Sequence, residues 1–223
     1  MQYLTAAFAG EGPTDHQFIR RLVQRHLEHV ILAGSDKVVE IGGMLEVRPD
    51  GEFTNQCDKV MSGFVSQEIY ADLLFVHTDA GSSVADALST RVEPIRVAAA
   101  EQLTYPLQVV GVVPDRETEA WMIADIGAIE SVLGLQSKHL PRQVAPKSVH
   151  TVLDPKAVLA ELTKAVDSTS GRTRNVRRPT QRVERLFDSL ANEVSFEVLR
   201  EIPSFRVYEA SVVKALKAVG ILS

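Results

Sequence analysis

The run Leu73-Leu74-Phe75-Val76 is the tightest constraint in the sequence. Four consecutive apolar residues leave no polar side for water, so a strand made of them is covered on both faces, as in the middle of a parallel sheet. Parallel neighbours need crossover connections, usually helical. Tyr3 to Ala9 and Leu107 to Val113 read as further buried strands, and Lys37 to Ile41 as a weaker one, broken by Gly42-Gly43 and extended by Leu45 to Val47. Between them the periodicity turns helical. Phe18, Ile19, Leu22, Val23 and Leu27 share one face of a helix that starts at Thr14, where Gln17 completes a capping box. Arg20, Arg21, Arg25 and His26 are assigned to its other, solvated side. Cys57, Val60, Met61, Phe64, Val65 and Ile69 mark a second helix, with Cys57 as a small core residue, and Val92 to Gln102 a third with Pro94 in its first turn.

This alternation predicts an α/β protein: a parallel sheet of about four strands flanked by helices, within residues 1–125. Residues 126–223 read as a C-terminal helical extension packed on that core. Its helices run from Asp154-Pro155 to Val166, from Gln181 to Glu193 and from Ser204 to Val219, the last stopped by Gly220. A chain of 223 residues can bury a substantial core. No apolar run is long enough to cross a bilayer, no export signal is visible, and Cys57 has no intramolecular partner, so the expected location is cytoplasmic.

All three apolar strands end in acid. Glu11 stands in the turn Gly10-Glu11-Gly12-Pro13 that follows Tyr3 to Ala9; Asp79 follows His77-Thr78 after the central strand; Glu117 and Glu119 follow Pro114-Asp115-Arg116. In open α/β sheets ligands bind at the carboxyl ends of strands. If these strands are neighbours, Glu11, Asp79 and Glu117 or Glu119 gather the hard oxygen ligands that Mg²⁺ or Mn²⁺ takes, and such an ion serves phosphodiester hydrolysis. His77 and Asp79 are two residues apart and face the same way if the strand persists. Taken as an ordinary turn residue, Asp79 would instead be an N-cap or Asx-turn residue before the next helix. Glu117 and Glu119 share a side only if their segment is extended, and Trp121 reads as a packing residue. No P-loop, zinc-type Cys/His spacing, dinucleotide glycine fingerprint or nucleophile elbow competes. The net charge of -5 excludes a uniformly basic surface, yet Arg172, Arg174, Arg177, Arg178 and Arg182 cluster in one stretch, either a solvated loop or a grip on a nucleic-acid backbone.

Gly10-Glu11-Gly12-Pro13-Thr14-Asp15, the strand ending at Asp79, Arg116-Glu117-Thr118-Glu119-Ala120-Trp121 with Asp125, and Pro203-Ser204-Phe205 together resemble a bacterial family called domain of unknown function 4276. That family looks like a compact member of the Toprim fold, shared by topoisomerases, primases and OLD-type nucleases. The resemblance spans nearly the whole chain. It implies a metal site in which Glu11 corresponds to the Toprim glutamate, an acid/base or ligand, and Asp79 to the second acid of an Asp-x-Asp motif. His77 stands where the first acid would be, and imidazole suits Mn²⁺ better than Mg²⁺. Either the site takes another metal, His77 acts as a general acid or base, or the chain binds without cutting.

The function expected from these residues is a Toprim-like metal-dependent nuclease acting on DNA or RNA in prokaryotic defence or DNA maintenance, with a P-loop ATPase as the partner that the resemblance implies. The alternative is a non-catalytic nucleic-acid-binding or regulatory subunit with a degenerate metal site. A weaker third reading is a small-nucleotide hydrolase or transferase. A homodimer is compatible with the sequence, and no membrane association is expected.

Overall fold

The structure, a computed structural model, describes residues 1–12, 16–49, 51–134, 144–169 and 179–223, with side chains described up to 162 and again from 186 in the last two segments. Its centre is a parallel sheet in the order β4-β2-β5-β6, made of β2 (Ala6–Ala9), β4 (Leu45–Glu46), β5 (Leu73–His77) and β6 (Gln108–Val112). Phe8 pairs with Phe75, and Phe75 with Val110. A second ladder, β1 (Gln2–Leu4) with β3 (Val39–Ile41), runs in the same sense.

The expected single strand from Tyr3 to Ala9 is therefore two, divided at Thr5. The Thr5 N–H and hydroxyl both donate to the Asp72 carboxylate at 2.8 Å, while its carbonyl accepts from the Asp72 and Leu73 amides. A side chain has replaced a ladder partner at that residue, which is enough to break the pairing. The following strand divides likewise, β3 pairing with β1 and β4 with β2.

Period-two alternation sorts the sheet into two cores. Phe8, Leu73, Phe75, Val110 and Val112 face one, Ala7, Ala9, Leu74, Val76 and Val109 the other. The second face is covered by α2 (Gln56–Ser66), capped by Asn55, and by α4 (Glu93–Gln102) with Pro94 in its first turn; between them α3 (Val84–Ala87) runs into a π-helical turn, Leu88–Val92. Cys57 is half-buried against this core. The first face is covered by a π-helical turn, His16–Arg20, continuing as α1 (Arg21–Gly34), and by α5 (Glu119–Ile123), α6 (Ile126–Leu133), α7 (Pro155–Thr169), α8 (Pro179–Glu193), α9 (Phe196–Leu199) and α10 (Pro203–Ala218). Ile129, Leu159, Leu190, Phe205 and Val212 share one apolar cluster with Phe8 and Phe75, and α10 packs on β6. The end of the chain clasps its beginning: Gln2 Nε2 donates to the Val219 carbonyl at 3.4 Å and Ser35 Oγ to that of Ile221 at 2.9 Å. Thr14 lies outside the described residues.

The five predicted core residues of α1 and its preceding turn are buried. His26, expected on the solvated side, is buried too, its ring 5.0 to 5.2 Å from those of Phe196, Phe205 and Tyr208 and its Nε2 3.1 Å from Glu209 Oε1. The spacing explains this, because His26 lies four residues after Leu22 and three after Val23, on the apolar stripe. Arg25 is also engaged, its guanidinium 4.5 Å over Phe196 and donating to the carbonyls of Asn192 and Val194.

Burial holds the His26 pKa below the ordinary 6.5, with Arg200 and His29 acting in the same direction and the Glu209 carboxylate opposing. A depressed base takes up its proton more readily in the unfolded chain. The stability it allows is thus full above about pH 6.5 and declines as the pH falls through that value towards the folded pKa, by up to about 1.4 kcal/mol per unit. Urea midpoints between pH 7.5 and 5.5 are expected to fall, and His26→Gln, which can still donate to Glu209, is expected to flatten the decline. An unchanged slope in the variant would assign acid sensitivity to other groups.

Candidate active site at the carboxyl edge of the sheet

Because β2, β5 and β6 are adjacent, the three acidic strand ends meet along one edge. Glu11 follows the tightly packed Gly10, where a Cβ would lie 3.0 Å from His16 Nε2 and 3.1 Å from the Phe8 ring. A side chain at that position would crowd both rings; the Glu11 side chain beside it is 40% exposed. Its Oε1 accepts a hydrogen bond from Thr78 Oγ1. Thr78 Oγ1 in turn accepts from Arg91 Nη1 at 2.8 Å; the same nitrogen donates to the Asp79 carbonyl at 2.9 Å and stands 3.7 Å from Glu11 Oε1. One guanidinium, on the turn after α3, thus joins the ends of β2 and β5.

The ends of β5 and β6 are joined by a second network. His77 is fully buried. Its Nδ1–H donates to the Val112 carbonyl at 3.0 Å, which fixes the tautomer and leaves Nε2 to accept from Thr118 Oγ1 at 3.0 Å. The Thr118 amide donates to Asp79 Oδ1 at 3.1 Å, and that oxygen lies 3.8 Å from His77 Nε2, so His77 and Asp79 do face the same way. Asp79 is not a helix cap: Ser83 caps α3 by accepting from the Asp86 amide at 3.2 Å. The reading of Asp79 as a plain N-cap residue fails for that reason.

The loop after β6 is anchored from the C-terminal helices. Trp121, fully buried, donates from Nε1 to Ser204 Oγ at 3.0 Å, and Ser204 Oγ donates onward to Asp115 Oδ2. Arg116 takes the left-handed conformation, φ 61°, between the two acids Asp115 and Glu117. Such a φ is uncommon outside glycine and turns the chain sharply. Glu117 precedes α5, Glu119 opens it, and Glu117 Oε2 is buried without a hydrogen-bond partner among the described residues. The buried neighbour Asp125 caps α6 by accepting from the Ala128 amide and also accepts from that of Ser195, each through one oxygen.

Among the described residues no group of three His, Cys, Asp or Glu side chains is arranged to hold a metal ion. The donor chemistry still suits a hard divalent cation. Glu11 and Asp79 supply carboxylates at adjoining strand ends, and Glu117 Oε2, on the loop after the third, is buried with no hydrogen-bond partner among the described residues. Mg²⁺ is commonly held by one or two carboxylates with water and substrate phosphate completing its shell. Arg172, Arg174, Arg177 and Arg178 lie outside the described residues; Arg182 falls on α8, with its side chain outside them. Thr78, Arg91, Thr118, Asp115 and Ser204 are the site residues that sequence reasoning did not single out for a role. Ser204 and Thr118 lie within motifs of the family resemblance, and Thr78 between two candidates, whereas nothing local marks Arg91.

The fold and edge define the class: an α/β protein with a four-stranded parallel sheet whose acidic residues collect at the carboxyl ends of three adjacent strands. Residues 10–209 match the family model described as Domain of unknown function (DUF4276), and the chain belongs to that family. No curated protein and no solved structure matches it. No helix among the described residues is long and apolar enough to cross a membrane.

Proposed function

We propose that this chain is a Toprim-like, metal-dependent nuclease that hydrolyses phosphodiester bonds in DNA or RNA, working in the cytoplasm in prokaryotic defence or DNA maintenance beside a P-loop ATPase. The observation that carries this reading is the contact of the Glu11 carboxylate with Thr78 and Arg91, which also grips the Asp79 backbone. Carboxylates from two adjoining strand ends, with an arginine between them, suit a phosphate ester that must meet both a cation and a positive side chain. Glu11 and Asp79 would hold Mg²⁺ or Mn²⁺, with Glu117 or Glu119 as the further carboxylate. Bound there, the ion would polarise a phosphoryl oxygen and lower the pKa of a water. Arg91 orients Glu11 through Thr78 and offers its remaining donors to phosphate. His77 holds Thr118 and, through it, Asp79; with its ring buried and both nitrogens bonded, it serves as a positioning residue.

That same burial favours a second reading, a non-catalytic nucleic-acid-binding subunit, since the residue in place of the first acid of Asp-x-Asp offers no open ligand. Purified protein incubated with DNA and RNA in Mn²⁺, Mg²⁺ or chelator, with and without a P-loop ATPase partner, separates the two. The nuclease reading expects cutting with Mn²⁺ or Mg²⁺ and none with chelator. Nucleic-acid binding without cutting in every combination would establish the second.

A further inference from the structure

Resting on the site just proposed, we infer that the groove beside Glu11 binds one nucleotide unit, its base against Phe53 and its phosphate between Lys59 and Arg91. The groove encloses about 790 Å³ and is lined by Glu11, by residues around the start of α2, and by Thr90, Arg91 and Pro94. That volume lies in the range of roughly 300–1,000 Å³ typical of ligand pockets.

Phe53 is 36% exposed and, with Cys57 and Pro94, forms the apolar part of the groove's mixed lining. An aromatic face left open beside cations is what a nucleobase stacks on. Of the five donors of Arg91, only those on Nη1 are bonded among the described residues, so the guanidinium can hold Thr78 and Asp79 and still meet a phosphate. Lys59 adds a second cation on the α2 side. Two acids, Glu11 and Asp58, balance these two bases in the lining, and Asp58 is occupied by the Asn55 amide at 2.8 Å. A groove of balanced charge lacks the field that retains a long polyanion, so it recognises a single unit through stacking and paired contacts. Gln56 Nε2 donates to the His77 carbonyl at 3.1 Å, tying the α2 wall to the end of β5 and therefore to the site. A free nucleotide and the terminal residue of a strand present the same chemistry here.

Binding of thymidine 5′-monophosphate and of 5′-phosphorylated oligothymidylate to the full chain, measured by calorimetry without divalent metal, tests the assignment. At least one ligand is expected to bind. Phe53→Ala should weaken it about tenfold or more, Phe53→Tyr should preserve it, and Lys59→Ala should also weaken it. Binding of the mononucleotide assigns the groove to the nucleotide itself; binding of the oligonucleotide alone assigns it to a strand terminus. Absence of binding by either, or binding indifferent to both alanine variants, overturns the inference. Neither metal nor cleavage enters this readout. Metal-dependent cutting together with binding indifferent to both alanine variants would remove the groove and spare the nuclease, and binding sensitive to Phe53→Ala and Lys59→Ala without cutting would do the reverse.

Discussion

Glu11→Ala is expected to lower metal-dependent cleavage by about a hundredfold or more and to weaken Mn²⁺ binding, while the protein stays folded. The loss in rate follows from removing a carboxylate that the proposed mechanism uses to hold the cation, whose stabilisation of the developing phosphoryl charge is worth several kcal/mol. The fold survives because the side chain is 40% exposed and its ion pair with the 43% exposed Arg91 is long, 3.7 Å. Pairs of that kind contribute about 0–1 kcal/mol. Arg91 keeps its bonds to Thr78 Oγ1 and the Asp79 carbonyl in the variant, so the β5 end remains tethered. Glu11→Gln separates charge from shape, since the amide oxygen can still accept from Thr78 yet cannot neutralise a cation. Titration of Mn²⁺ by electron paramagnetic resonance, beside thermal melts, checks both variants. Wild-type metal affinity in Glu11→Ala would remove Glu11 from the site, and Asp79→Ala provides the parallel measurement at the neighbouring strand end.

Trp121→Ala should cost about 3–5 kcal/mol, the usual penalty for truncating a buried aromatic. Against a total stability of about 5–15 kcal/mol this is a large fraction. The indole is fully buried, edge-on to Phe205 with centroids 5.2 Å apart and 5.8 Å from the Tyr208 ring. Its N–H also holds Ser204, whose hydroxyl holds Asp115. Trp121→Phe retains most of the packing and loses the donor together with one ring's volume, for about 1–3 kcal/mol. If the relay positions the loop that carries Glu117, Trp121→Phe should lower activity more than its modest loss of stability explains. Urea unfolding gives the stability, and cleavage at a temperature where both proteins are fully folded gives the activity. Equal activity of Trp121→Phe and wild type would reduce the relay to packing.

The sheet was legible because its information is local. Leu73 to Val76 is apolar without interruption, and the same period-two alternation that builds a strand sends Phe75 to one core and Leu74 to the other. Convergence of the three acidic ends needs their strands to be neighbours, and the strand order makes them so. What escaped reading depends on partners distant in the chain. Thr5 breaks a strand only because Asp72, 67 residues later, captures its amide. Arg91 has no mark of its own, since its role comes from where the turn after α3 passes the end of β5. His26 was different: its position on the apolar stripe was readable, and its polarity alone sent it to the wrong side. Trp121 behaved as its sequence suggested, but its partner Ser204 is 83 residues away.

The packing of α10 on β6 also fixes an order of events in the cell. The helices α5 to α10, which join α1 in covering the Phe8, Phe75 and Val110 face, are synthesised after the sheet they cover. At about 5–20 residues per second, roughly 5–20 s separate the emergence of β6 from that of the end of α10. During that interval one side of the nascent sheet has only part of its cover, from α1 and its preceding turn, while the other is already roofed by α2 and α4. A ribosome-bound chain arrested shortly after β6 is therefore expected to be a client for holding chaperones, and the clasp between Gln2 and Val219 can form only once the last helix has emerged.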